Sequence, residues 1–573
     1  MSREARIDPF TLEIIKNELI AAGDEMFHAL KRAAMSPIIY EVLDYATGLT
    51  DARGNLLSQG NGVADFISAL GFGVAHVLDK MGRERLASGD IVILNDPYVG
   101  GGTHLSDVAL ILPIFHEGEL VAFAVDKAHW TEVGGKDPGS WTTDATDVFQ
   151  EGLQFPGIKL FKAGRPDEGL LELIRANVRT PDATLGDLHA CVGALRVGER
   201  ALHRVLRKFG KATVLCAMEE LLDEGERRAR LELARLPRGT YEATDFIDDD
   251  GIGNGPFEVR VKVTLDDRFV CDFTGTTAQV PGPINCGRTS LCSAVRQAWK
   301  AITDPLLPSN EGVFRPVHVV CPPGTIFTAE RPAPVSTYWE TAQYATDLVC
   351  KAMAPLVPRR LTAGHFLSVC GTIIHGIHPD DGTPYLLVEP QAGGWGAGAD
   401  KDGENGLVCA GDGETYMIPV EICETRYGVR VEQYALDIVD GGAGEHRGGR
   451  GLVRDYRVTS AWARVTATFG RHRFAPWGLN GGQQGSPNTV ELVHEDGRRI
   501  ALGKCARHLL KRGELCRLRT GTGGGYGDPA RRSRARVLDD LRCGYITLEQ
   551  ARRDYGLRDT EEPGPAAAPS DEA

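Results

Sequence analysis

The chain has 573 residues, 42% of them apolar and 25% charged, with 64 basic side chains against 78 acidic ones and a net charge of −14. That balance excludes a nucleic-acid-binding protein, which needs a basic footprint, and no apolar run approaches the length of a membrane span. Thirteen cysteines without a Cys-x-x-Cys pair, behind an amino terminus lacking a hydrophobic signal core, predict reduced thiols in a cytoplasmic protein.

Asp8-Pro9 is a helix start, an N-cap acid followed by proline in the first turn. Leu12, Ile15, Leu19, Met26 and Leu30 then recur at helical spacing as far as Ala34. From Ile38 to Asn55 the pattern predicts a strand pair with a polar turn, and Asp44 sits where its apolar residues give way to polar ones. An amphipathic helix is expected over Phe66–Leu86. Ile91–Leu94 then reads as a short buried strand, stopped by Asn95-Asp96-Pro97.

The stretch NDPYVGGGTHLSD, Asn95 to Asp107, follows that strand. Three glycines ahead of His104 and Asp107 let a backbone approach something closely, as at a ligand or metal site. Gly118–Val125 reads as the next strand. It runs into Asp126, Lys127, His129 and Glu132, then Gly134-Gly135. Two strand ends, each delivering His and Asp beside glycines, could converge on one divalent ion, zinc, manganese or iron(II). The plainer alternative is a loop-capping His104, a satisfied buried His129 and glycines that only make turns. No His-Glu-x-x-His or paired-cysteine pattern decides between the two.

Residues 136–157 form a long loop near this candidate site, and loops of that length are usually functional or mobile. From Pro166 to about Leu236 the sequence is helical, interrupted near Thr180-Pro181, and Arg227–Arg230 reads as a solvated basic face. Strands are expected at 239–246, 257–265 and 268–274, and near Val317 and Phe327. Helices are expected at about 289–302 and 341–354. Glycine clusters follow at 393–413, 441–451 and 523–527. None is a phosphate loop, and a calcium loop begun at Asp400 fails because its twelfth position is Gly411. A helix pair is expected from Ser533 to about Tyr555, and the tail from Asp559 should be disordered.

The fold class is therefore a multi-section α+β chain with glycine-rich loops and a long central helical segment. Its sections read as 1–165, an α/β metal-site region; 166–236, helical; 237–390, β-rich α/β; 391–530, glycine-rich β; 531–558, helices; and 559–573, the tail.

Taken together, NDPYVGGGTHLSD, AHWTEVGG, FQEGLQFPGIKL, IRANVRTPDATLGDL, LPSNEGVFRP, DGGAGEHRGGRGL and GTGGGYGDP resemble the hydantoinase B/oxoprolinase family over nearly the whole chain apart from the tail. The resemblance implies one half of a two-part, hetero-oligomeric enzyme whose other half is a hydantoinase A-type ATPase. It implies a divalent metal, zinc or manganese, on Asp44, His104, Asp107 and His129, with Asp126 as the fallback carboxylate. ATP would be used by the partner. Histidines that the family often carries near Gly62 and Phe66 are missing here, which bears on the substrate.

Three functions fit that resemblance. In the first, the partner phosphorylates the carbonyl of a hydantoin, oxoproline or lactam, and a metal-bound water opens the ring, with Asp126 or Glu132 taking the proton. In the second, the pair is a ketone carboxylase of the acetone or acetophenone type. In the third, the chain is a non-catalytic scaffold for the ATPase. For the first two, the four ligands should converge on one ion, at about 2.0–2.2 Å if it is zinc. As loop ligands, His104 and His129 should be replaceable by alanine without harm to the fold.

Overall fold

In the computed structural model, which describes residues 7–67 and 69–558, the first helix runs Pro9–Ala33. Asp8 caps it, accepting hydrogen bonds from the backbone N–H groups of Phe10 and Thr11. The tail from Asp559 lies outside the described residues. The architecture is α+β, as the sequence predicts, with four sheets of seven, four, four and five strands. Among the described residues, no helix is long and apolar enough to cross a membrane.

The apolar stretch after Pro37 departs from expectation. Pro37–Tyr40 is a helical turn, because proline at a first helical position pre-sets the right φ. Strand β1, Tyr45–Asp51, begins only after Asp44. The turn that follows is closed by Asp51, whose Oδ1 accepts from the N–H groups of Arg53 and Asn55, and β2 spans Leu56–Gln59.

The remaining strands of this sheet are β3 (Ile91–Leu94), β4 (Asp107–His116), β5 (Glu119–His129), β6 (Pro156–Lys162) and β7 (Arg165–Pro166). Their order is β2-β1-β5-β4-β3-β6-β7, with every pairing antiparallel. Strand β4 carries no clear sequence signal, since it reads as one apolar run holding a proline, normally an argument against a central strand. Pro113 lies beyond the stretch paired with β3, whose last partners are Val92 and Ile111.

Period-2 alternation gives the sheet two buried faces. Phe123 and Val125 pack with Leu70, Val74 and Val77 of the helix Ala69–Met81. Ala122, Ala124 and Ala128 join the large core that includes Leu188, Cys191 and Leu195 of the helix Pro181–Phe209. The helices Glu168–Asn177, Pro181–Phe209 and Lys211–Arg235 confirm the long helical segment. Arg228 and Arg230 pair with Glu224 and Glu226 along the last of them, as a solvated face should.

A four-stranded sheet follows, built from β8 (Gly239–Ile247), β9 (Phe257–Leu265), β10 (Phe269–Asp272) and β11 (Val317–Val320). The strand expected near Phe327 does not form. Pro322-Pro323-Gly324 breaks the chain there, and Phe327 instead packs its ring against Phe273 at 5.1 Å. The helices Arg288–Ile302 and Trp339–Met353 match expectation.

Two further sheets occupy Gly371 to Arg519, and the helices Arg534–Arg542 and Leu548–Tyr555 follow. The separate glycine clusters of the sequence meet here, backbone on backbone. Gly394 N donates to Gly521 O, Gly449 N to Trp395 O, and Gly523 N to Gly449 O, all at 2.8–3.0 Å. A Cβ on Gly449 would stand 1.8 Å from the Glu404 carbonyl oxygen. Only glycine permits so close an approach, so these clusters serve packing of the chain on itself.

Candidate metal centre

The sheet register builds the site. Asp107 opens β4 and His129 closes β5, and the two are directly opposed across the ladder. On the other side of β5, His129 N donates to the Asp44 carbonyl at 3.0 Å, so Asp44, His129 and Asp107 stand in one row at the sheet edge. His104 reaches the same point from the loop ahead of β4. Its Nε2 lies 2.9 Å from Asp107 Oδ1 and 3.2 Å from His129 Nδ1, and His129 Nδ1 lies 3.0 Å from Asp107 Oδ1.

His104, Asp107 and His129 are all buried, and among the described residues they form the group whose ligand atoms lie close enough to hold a metal ion, within 4.8 Å of one another. Asp44 is the neighbour of this trio but is not counted in it. Its carboxyl is pushed up to about 8, by burial first, against the pull of His129. Burial also pushes up the carboxyl of Asp107, but the imidazoles of His104 and His129 outweigh it and hold that group far below the usual carboxylate range.

The hydrogen bonds fit a cation. His104 Nδ1 donates to the Ser336 carbonyl at 2.9 Å, which leaves the lone pair of a neutral ring on Nε2. That lone pair faces a carboxylate oxygen and a second imidazole nitrogen. Two ring nitrogens and a carboxylate oxygen at such distances need either a hydrogen on His129 Nδ1 or a metal ion among them. An outer hydrogen bond that fixes the free ring nitrogen is the usual arrangement for a metal-binding histidine. Thr103 Oγ1 donates to Asp107 Oδ2 at 2.5 Å and fixes the carboxylate in turn.

Aromatic rings wall the cluster. Trp339 meets His104 edge-on at 5.3 Å, Tyr338 lies 5.2 Å from the same ring, and Trp141, from the long loop between β5 and β6, lies 5.1 Å from His129. Beyond them stand two acids that sequence reasoning missed. Asp65 is pushed up to about 7 and Asp412 to about 8, each by burial first. Asp65 Oδ1 and Asp412 Oδ2 are buried without a hydrogen-bond partner. Gln343 ties the pair's surroundings together, donating to Asp65 Oδ2 and accepting from Gly411 N.

Two sequence candidates are not brought to this cluster. Asp126 is three residues from His129, so alternation points it to the opposite face, toward Cys191 of the helix Pro181–Phe209. The residue on the His129 face is Lys127, whose Nζ donates to Gly101 O at 2.6 Å. Glu132 is spent on the loop behind the site. Its carboxylate accepts from Gly134 N, Gly139 N, Ser140 Oγ and Arg179 Nη1. The glycines ahead of His104 also differ from expectation: Gly100 and Gly101 pack on the backbone of Phe72 and Gly73, and Gly102 on that of Asp96. Their close approach is to the neighbouring helix and to their own loop.

Fold and site thus define a multi-sheet α+β protein with a buried two-imidazole, one-carboxylate cluster fit for a cation. The chain belongs to the hydantoinase B/oxoprolinase family, whose model matches residues 8–529. It is 31% identical over 565 residues to the beta chain of the caprolactamase of Pseudomonas jessenii, covering 96% of each. It is 30% identical to the B-type component of a putative D-/L-hydantoinase of a Pseudomonas strain, covering 97% of this chain and 96% of that one. The crystal structure of the ATP-dependent caprolactamase from P. jessenii superposes with a TM-score of 0.89 at 29% identity, covering 97% of both chains.

Proposed function

We propose that this chain is the metal-holding subunit of an ATP-dependent cyclic-amide hydrolase that opens lactam, hydantoin or oxoproline-type rings. The carrying observation is the convergence of His104, Asp107 and His129, in a chain similar over 96% of its length to one component of a caprolactamase. An unstrained cyclic amide resists water, so phosphorylation of its carbonyl oxygen by a hydantoinase A-type partner would activate it.

His104 Nε2, His129 Nδ1 and Asp107 Oδ1 would hold the ion, with Asp44 at its side. When bound, a divalent ion supplies Lewis-acid polarisation and lowers the pKa of water. His104 presents its lone pair because Ser336 holds the opposite ring proton. Trp141, Tyr338 and Trp339 exclude bulk solvent from the cluster. Asp65 Oδ1 and Asp412 Oδ2, buried and unpartnered, would accept the proton, in place of Asp126 and Glu132.

The test is a substrate-dependent ATPase screen of the chain with its partner subunit, using lactams, hydantoins and 5-oxoproline, and ketones with bicarbonate. Ring opening coupled to ATP hydrolysis supports the proposal. Turnover of ketones alone would assign a carboxylase, and full activity of a metal-free complex would assign a scaffold.

A further inference from the structure

We propose that Glu151 is a positioning residue for His104, acting through Val335 and Ser336. This rests on the metal reading above. Glu151 is buried in the loop ahead of β6, and its Oε1 accepts from the backbone N–H groups of Val335 at 2.7 Å and Ser336 at 2.8 Å. These are the hydrogen bonds of its side chain among the described residues, and its Oε2 is buried without a partner. Ser336 then accepts the His104 Nδ1 proton on its carbonyl at 2.9 Å and takes the Thr142 N–H on its Oγ at 2.9 Å.

Residues 332–336 come from a part of the chain some two hundred positions after His104, yet they form a strap across it. Val148 N donates to Pro332 O at 3.0 Å and Tyr98 Oη to the Ala333 carbonyl. Those bonds hold the strap's near end. Its far end, at Ser336, bonds the imidazole, and Glu151 is the acceptor for the backbone N–H groups there. Without that acceptor, two buried N–H groups lose their partner; Asn285 Nδ2 still holds the Pro334 carbonyl and Thr142 N the Ser336 Oγ, so the strap stays docked while its backbone at Ser336 loosens. The carbonyl that fixes the His104 tautomer would move with it. Outer-shell partners of this kind typically change metal affinity by about ten- to a hundredfold when removed.

The test uses cobalt(II) as the probe on the full chain, reading the d–d absorption spectrum and the dissociation constant by titration. Glu151→Leu removes the acceptor, while Glu151→Gln keeps a carbonyl oxygen in its place. Asp90→Leu is the control, because Asp90 is a buried carboxylate that also accepts two backbone N–H groups, those of Ala87 and Ala163, at the far end of β3. The expected result is an altered spectrum and about ten- to a hundredfold weaker binding in Glu151→Leu. Glu151→Gln should restore the wild-type spectrum, and Asp90→Leu should lose thermal stability with the spectrum unchanged. A Glu151→Leu protein that folds and matches wild-type in both readouts would overturn the inference alone. If Glu151→Leu does not fold, Glu151→Asp, whose carboxylate is one methylene short of the two N–H groups, should alter the spectrum while Asp90→Leu leaves it unchanged, and a wild-type spectrum in Glu151→Asp would overturn the inference. A wild-type protein that binds no cobalt would overturn the metal reading and this inference together.

Discussion

Asp107 and His129 face each other across the β4–β5 ladder, with Asp107 Oδ1 3.0 Å from His129 Nδ1. Directly opposed residues of an antiparallel pair point to the same face, so the register that pairs two hydrophobic strands also pairs a carboxylate with an imidazole. The site inherits its precision from the sheet, and its other members are placed around that pair.

His104→Gln and His129→Gln should each lower turnover of the two-subunit enzyme by roughly a hundredfold or more, beyond the loss typical of an outer-shell change. The sequence suggested loop ligands that cost the fold nothing. Both rings are instead buried against aromatic side chains, so each variant should also lose about 1–3 kcal/mol of stability. Steady-state kinetics and thermal melts check both effects. Wild-type turnover in either variant would contradict the assignment.

Asp126→Asn should leave turnover within about twofold of wild-type, as for a substitution away from the reacting groups. Burial pushes the Asp126 carboxyl well up, toward its neutral form, and asparagine matches its shape. Its Oδ1 accepts from Leu110 N, which the amide oxygen can also do. A loss of a hundredfold or more would return Asp126 to the catalytic machinery.

A pH-dependent contribution to stability is expected away from the site, at His472. Its Nε2 lies 2.8 Å from Asp249 Oδ2 and its Nδ1 3.2 Å from Asp248 Oδ2, with Lys504 Nζ 3.7 Å from Asp249. Burial pulls the His472 pKa down, but the bond to Asp249 outweighs it and the net shift is upward from 6.5. The stability this gives is complete below 6.5 and fades as pH rises through the raised folded value. Asp249 moves below its ordinary 3.8, its burial outweighed by His472 and Lys504, so its share fades only in acid. His472→Gln should therefore cost about 1–2 kcal/mol at pH 5.5 and clearly less at pH 9. Equal losses in melts at both pH values would contradict this.

The chain alone should not bind ATP with micromolar affinity. None of its glycine clusters ends in a phosphate-loop pattern, and in the structure they are filled by one another's backbone. Titration calorimetry of the isolated chain with ATP and magnesium is the check; a micromolar dissociation constant would refute it.

Much of this was legible in the sequence because it rests on local rules. The Asp8 cap, the helical stripe from Leu185 to Leu202 and the strand ending at His129 all follow from spacing and capping. The trio was also in reach, since His104 and Asp107 share a loop. Strand β4 was not, because a continuous apolar run with a proline carries no period. Asp126 stands on the face of β5 opposite His129, and period-2 alternation from His129 selects Lys127 instead. Asp65, Asp412 and Ser336 lay beyond sequence reasoning, because long-range packing brings them to the site from segments far apart in the chain, and no spacing links those segments to His104.

The most direct measurement is the metal content of the purified two-subunit complex, by elemental mass spectrometry, alongside its activity before and after chelation. The expected result is about one divalent ion per copy of this chain, lost in His129→Gln, with activity that falls on chelation and returns with added metal. A wild-type complex that turns over substrate at full rate with no bound metal would contradict the metal centre proposed for His104, Asp107 and His129.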